Sequence, residues 1–233
     1  MSTITGCIRS YLNQFAIFRG LPQEQLAKLS TVLHKKTFSA GTMLMAVEQL
    51  GETVYFILSG TVKVFVEQEN GSEVIITILG AGDTVGEMSS LDNMVRCANV
   101  VTMEESTLMW MNRSTFRECL RTMPEMALNL AQLLAHRLRL ANEQIQSLAT
   151  QDIECRIARQ VLAFANRYGV LQPNGDTFIP VRLTQTDIAS LVGATRERTN
   201  KILVSYKERG YLSVSRNHHL TIHNHRALAN RCQ

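Results

Sequence analysis

The stretch from Leu183 to Leu212, LTQTDIASLVGATRERTNKILVSYKERGYL, limits the fold more than any other part of the chain, because it holds two helix starts eleven residues apart. Thr184 followed by Asp187 reads as the start of one helix, and Thr195 caps a second after the tight turn Val192-Gly193-Ala194. Ala189 is small where two helices must cross closely, Gly193 suits the sharp turn, and Ile188, Leu191, Ile202 and Leu203 supply apolar side chains to pack between them. This is the pattern of a helix-turn-helix. Thr199 departs from it, standing at an inward position where an aliphatic residue packs better. YLSVS, RNHH and LTIHN then read as strand, turn and strand, adding a wing.

Charge agrees with this pattern. Residues 1–151 hold 12 Lys and Arg against 14 Asp and Glu, a balance of −2; residues 152–233 hold 12 against 6, a balance of +6. A short basic half beside a mildly acidic one suits a polyanion met by the C-terminal part alone. In a helix-turn-helix the first turn of the second helix enters the major groove of double-stranded DNA. Arg196 suits the paired acceptors of guanine, and Glu197 suits the amine of cytosine. Lys201 shares their side of the helix, so these three are the expected base contacts. Thr184, Gln185, Thr195 and Arg198 are expected at phosphates, which position without specifying.

Upstream, short β-rich runs alternate with turn signals between Phe38 and Met111: TVYFIL, TVKVFVEQ, VIITIL and STLMWM, with a hairpin turn expected at Asn70-Gly71-Ser72. Their spacing predicts a small antiparallel barrel or roll, with a helix that begins near Pro22 packed against it. Pro124 opens a long helical segment in which Ala127, Ala131, Leu134, Leu138, Ala141, Ile145 and Leu148 follow a 4,3 heptad spacing, the seam of a homodimer helix. Leu130, Leu133, Arg137 and Leu140 form a second stripe placed to face the roll. Asp152 offers a new N-cap after a break near Thr150, and a helix is expected from there to about Arg167. The expected class is therefore α+β: an antiparallel β-roll over 1–122, a dimerisation helix over 123–150 and a winged helix-turn-helix over 151–233.

GETVYFILSGTVKV, GEMSSLDNMVRCA and LVGATRERTNKIL together resemble the cAMP receptor protein and fumarate-nitrate reduction regulator (CRP/FNR) family, and the resemblance extends over nearly the whole chain. It implies a homodimeric transcription regulator on palindromic promoter sites, with a roll of the cyclic-nucleotide-binding type. It also implies contact with RNA polymerase, for which the turn from Gln172 to Asp176 is the candidate surface.

For the effector, the resemblance carries roles over by position. Gly86 would let the backbone approach a cyclic nucleotide, Glu87 would accept from a ribose hydroxyl, Arg96 would pair with the phosphate, and Arg137 would face the same pocket. Cys97 stands where cAMP binders have a hydroxyl, and a thiol is a weak donor. Ala141 stands where they have a Thr that bonds the base; Asn142 beside it is an ordinary replacement. Three readings stay open: cAMP itself, another cyclic nucleotide or small anion, and a pocket in which Glu87 neutralises Arg96 or Arg137 while a protein partner or the protein's abundance sets activity. A sensor module that acts through protein contacts is the alternative to a DNA-binding regulator.

Other chemistry finds less support. No catalytic set can be assembled from spacing, and the reading is not an enzyme. The cysteines at 7, 97, 119, 155 and 232 form no close pair, and Cys7 alone in the N-terminal arm does not suit an iron-sulfur sensor. GAGDTVG lacks the glycine spacing of a dinucleotide loop. His218, His219, His223 and His225 are read as exposed wing residues, with no metal assigned. No apolar run is long enough to span a membrane and no signal peptide is evident, so a cytoplasmic protein is expected.

Overall fold

The computed structural model describes residues 11–232. Among the described residues two compact units emerge, one of residues 11–64 and 79–140, the other of residues 65–78 and 141–232. Cys7 lies outside the described residues.

Most of the β-structure up to residue 112 lies in the first unit, and the strand and turn residues within 65–78 belong to the second. Helix α1 (Gln23–Val32) follows Pro22. Strands β1 (His34–Phe38), β2 (Met43–Met45), β3 (Thr53–Ser59), β4 (Val62–Glu67), β5 (Glu73–Leu79) and β6 (Thr84–Val85) precede a short helix, α2 (Glu87–Asp92). Strands β7 (Asn99–Thr102) and β8 (Ser106–Asn112) complete two sheets, ordered β1-β8-β3-β6 and β2-β7-β4-β5. Burial alternates along β3, as a half-buried strand requires: Val54 and Phe56 face the core while Thr53 and Tyr55 are only half-buried. The two opposed faces make the roll. The Asn70–Ser72 turn forms as expected, with Asn70 Oδ1 accepting from Ser72 N at 2.9 Å.

One core joins helices to sheet. Phe15, Phe18 and Phe56 pack ring against ring at 5.0 to 6.0 Å between centroids, with Leu26 and Leu29 of α1 in the same cluster. Helix α3 (Arg113–Thr122), capped by Asn112, adds Phe116 and Cys119. Met126 and Leu130 from the start of the long helix α4 (Pro124–Thr150) close it. The stripe of Leu130, Leu133 and Arg137 does lie against the roll. The heptad seam remains largely uncovered within the chain: Leu138 is 63% and Ile145 65% exposed.

In the second unit Asp152 caps α5 (Ile153–Tyr168) by accepting from Cys155 N at 2.8 Å. The stretch after it is more ordered than a plain turn: β9 (Val170–Leu171) and β10 (Thr177–Ile179) form a hairpin. Helices α6 (Gln185–Val192) and α7 (Arg196–Glu208) follow, then the wing of β11 (Leu212–Val214) and β12 (Leu220–Ile222), and α8 (His225–Ala229). The four strands make one sheet, β11-β12-β10-β9. No helix among the described residues is long and apolar enough to cross a membrane.

Candidate nucleic-acid interface and effector pocket

Local chemistry sets the two helices of the interface. Thr184 and Asp187 form a reciprocal cap: Thr184 Oγ1 accepts from Asp187 N at 3.1 Å, and Asp187 Oδ2 accepts from Thr184 N at 2.9 Å. The same hydroxyl donates to Asp187 Oδ2 at 2.6 Å, so Thr184 is spent on the cap. Gly193 ends α6 at φ +61, a left-handed conformation in which its missing Cβ costs nothing. Two residues later Thr195 caps α7, accepting from Arg198 N at 3.3 Å.

Burial then orients α7. Thr199, Leu203 and Tyr206 are its inward residues, and Tyr206 anchors it to α5 by donating to Glu154 O at 3.0 Å. That burial pushes the Tyr206 phenol well above its usual pKa. Arg196, Glu197, Arg198 and Lys201 are left exposed on the other faces, with Glu197 and Lys201 paired at 2.9 Å one turn apart. Gln185, also exposed, donates to Asn200 Oδ1 at 2.7 Å. A cleft of roughly 420 Å³ lies between the start of α6, the side of α7 and the wing turn, lined in part by Arg196, Asn200, Lys207 and His218.

The end of α4 holds this module. Gln144 Nε2 donates to Leu191 O at 3.2 Å, at the C-terminal end of α6 where carbonyls lack helical partners. A Cβ at Gly193 would sit 3.3 Å from Leu148 Cδ2. Two of the four histidines lie beyond the wing strands: His223, just after β12, bridges Asp176 Oδ2 at 2.7 Å and Ser213 Oγ at 2.9 Å, and His225, which opens α8 rather than lying in the wing, meets Thr177 Oγ1 at 2.8 Å.

In the roll, the segment after β6 turns at Gly86, with φ +89. A Cβ there would lie 2.8 Å from Arg96 Nη1 and 2.9 Å from Thr53 O, so glycine is required both by conformation and by space. Arg96 is 6% exposed and turns inward, donating to Gly86 O and Ser89 Oγ at 2.7 Å and to Thr53 O at 2.5 Å. Burial draws its guanidinium below the usual arginine pKa, opposed by Tyr55 and Glu87. Glu87, 1% exposed, is paired with Arg137 Nη1 at 2.6 Å, and Arg137 Nη2 reaches Thr84 O at 2.5 Å. Glu87 Oε2 and Arg137 Nε are buried with no hydrogen-bond partner.

Gly86, Glu87, Arg96 and Arg137 thus come together in the roll. Of the two neutralising pairs left open by the sequence, the ion pair formed is Glu87–Arg137, while Arg96 is held by carbonyls and a hydroxyl. Cys97 is an exposed free thiol. Asn142 is exposed in the second unit. Sequence reasoning missed Ser89 and Thr53. The first lies within the quoted GEMSSLDNMVRCA, but the second contributes only a main-chain oxygen, which no side-chain pattern reveals.

Two family models match this chain: the cyclic nucleotide-binding domain over residues 35–123 and the Crp-like helix-turn-helix domain over 155–231. A CRP-like cAMP-activated global transcriptional regulator of Mycobacterium tuberculosis (strain CDC 1551 / Oshkosh) is 34% identical over 203 residues, covering 87% of this chain and 90% of the relative. The chain belongs to the CRP/FNR family. As a CRP/FNR protein it is a DNA-binding transcription regulator. Another relative, the cyclic AMP receptor protein of Thermus thermophilus, is 30% identical and covers 85% of this chain and 88% of its own length. The solved structure of FixK2 from Bradyrhizobium japonicum, a CRP/FNR fold at 19% identity, superposes with a TM-score of 0.77 over 87% of this chain and 98% of that one.

Proposed function

We propose that this CRP/FNR regulator binds as a homodimer to a palindromic site, and that a cyclic nucleotide of the cAMP class controls it from the roll. The single observation that supports effector control best is Glu87 Oε2, a buried carboxylate oxygen with no hydrogen-bond partner, in the pocket that holds Arg96 and Arg137. A ribose hydroxyl is a donor matched to that oxygen. The cyclic phosphodiester would compete with the carbonyls of Gly86 and Thr53 and with Ser89 for Arg96. Cys97 is a weak donor, so cAMP would bind through Glu87, Arg96 and the nucleotide's apolar face.

The domain division is 1–122, 123–150 and 151–233, with two copies joined along the seam of α4. Arg196, Glu197 and Lys201 would read bases; Gln185, Thr195 and Arg198 would hold phosphates, and Thr184 would act through its cap. Half-sites would then lie about 34 Å apart, one DNA turn. The Gln172–Asp176 hairpin turn would meet RNA polymerase, in the cytoplasm, and the reading includes no enzymatic activity.

Calorimetry with cAMP, cGMP, cyclic di-GMP and small metabolic anions tests the effector, alongside the double variant Cys97→Ser, Ala141→Thr. Saturable cAMP binding by the unchanged protein, coupled to tighter operator binding, is the expected result. Binding gained only in the double variant would favour the second reading, in which Arg96 and the Glu87–Arg137 pair are purely structural and a protein partner supplies control. That reading is supported by the three internal hydrogen bonds that already engage Arg96.

A further inference from the structure

In the first two turns of α7, the side that bears Arg196, Glu197 and Lys201 carries one further polar residue, Asn200. At about 100° per residue, Asn200 lies about 40° round the helix from Arg196 and about 60° from Glu197, on the arc between them, with Lys201 about 40° beyond Glu197. Thr199, Leu203 and Tyr206 form the inward side, from about 280° to about 340° on the same scale, so Leu203 adjoins Arg196 and the arc runs outward from the edge of the core. Asn200 is half-buried, lines the cleft beside Arg196, and is held from outside its own helix by Gln185, whose Nε2 donates to Asn200 Oδ1 at 2.7 Å. That bond engages one lone pair of the amide oxygen and leaves both Nδ2 hydrogens as donors that Asn200 can offer.

We propose that Asn200 is a fourth base-reading residue, oriented by Gln185 so that its amide N–H groups enter the major groove. It selects a base with an acceptor on its major-groove edge, guanine, thymine or adenine through N7, over cytosine, whose amine would oppose it. The base pair it reads neighbours the one read by Arg196. Gln185 is a positioning residue for Asn200 as well as a phosphate donor, since its second Nε2 hydrogen stays available. This inference rests on the docking proposed above.

Selection of half-sites from a randomised operator library by the full-length protein, sequenced and fitted position by position, provides the test. Asn200→Ala should flatten the preference at one base pair by about fivefold to tenfold and leave the other positions unchanged. Asn200→Asp retains an acceptor for Gln185 but offers no donor, so the preference at that position should move toward cytosine. Gln185→Ala should blunt the same position and no other. These are ratios among sequences bound by one folded variant, so a uniform loss of affinity from altered stability or added charge cancels. An even weakening across all sequences by Asn200→Ala, with Arg196→Ala still relaxing its own position, overturns the role of Asn200 alone. If Arg196→Ala relaxes no position either, the docking reading falls and Asn200 with it.

Discussion

The roll and the recognition helix use the same side-chain chemistry in opposite ways. Arg96 is buried and makes three hydrogen bonds within the chain, whereas Arg196 is exposed and stands at the first turn of its helix. Glu87 is buried against Arg137; Glu197 pairs with Lys201 in solvent, where both side chains are at least 75% exposed. The buried set must satisfy its charges internally to fold at all, because an isolated ion out of water costs several kcal/mol. The exposed set bears no such cost and can exchange partners freely, which suits a surface that slides over phosphates before it reads bases. An effector in the roll has to displace existing bonds. DNA at α7 displaces mainly water and counterions.

The sharpest way to break this contrast is to remove each arginine. Arg96→Met should destabilise the roll by about 3–5 kcal/mol, since it removes three buried hydrogen bonds, to Gly86 O, Thr53 O and Ser89 Oγ, and leaves the buried Glu87 with one less neighbouring cation. Urea unfolding midpoints measure this directly. A loss below about 1 kcal/mol would show that the cassette does not depend on Arg96, and the distinction between the two regions would fail. Such a result would also free Arg96 for a ligand's phosphate at little cost.

The complementary change is Arg196→Ala. Stability should stay within about 0.5 kcal/mol, as expected for an exposed residue away from caps and cores. Discrimination at one base pair should fall by about 1–3 kcal/mol, measured by competition between operator variants at fixed salt. Equal weakening of every sequence would make Arg196 a phosphate contact and move it into the class of Arg198. Run together, the two variants separate the regions: one loses fold, the other loses readout.

What the sequence made legible follows the same division. The helix-turn-helix could be read because its instructions are local: Thr184 with Asp187, Gly193 and Thr195 each act on backbone within three or four residues, and all take the expected form. The long helix Pro124–Thr150 was readable for the same reason of periodicity. The roll was legible only in outline. Strands as short as Met43–Met45 and Thr84–Val85 are too brief to show alternation, and their pairing partners lie far along the chain. In the cassette the right charges could be named but not their partners, because Arg96 chooses main-chain oxygens and Glu87 chooses an arginine 50 residues away. A sequence shows which side chains are charged; only the packed fold shows which of them are spent.

The two regions share one feature, a buried oxygen without a partner: Glu87 Oε2 in the roll and Thr199 Oγ1 under the recognition helix. Their expected responses to substitution differ in sign. Glu87 cannot be made apolar without stranding Arg137. Thr199 is wholly buried and neutral, its main chain is already bonded to Thr195 O at 3.0 Å, and its hydroxyl makes no bond back to the preceding turn. Thr199→Val keeps the β-branched shape and helix preference while removing the orphaned hydroxyl. It should therefore stabilise the second unit by about 1 kcal/mol, the low end of the cost of an unmet buried polar group. Because Thr199 points away from the groove, operator discrimination should not change. Thermal and urea unfolding, with the same competition assay, check both halves. A less stable Thr199→Val would mean that the hydroxyl is satisfied after all, and the inward threonine noticed in the sequence would be a built contact rather than a misfit.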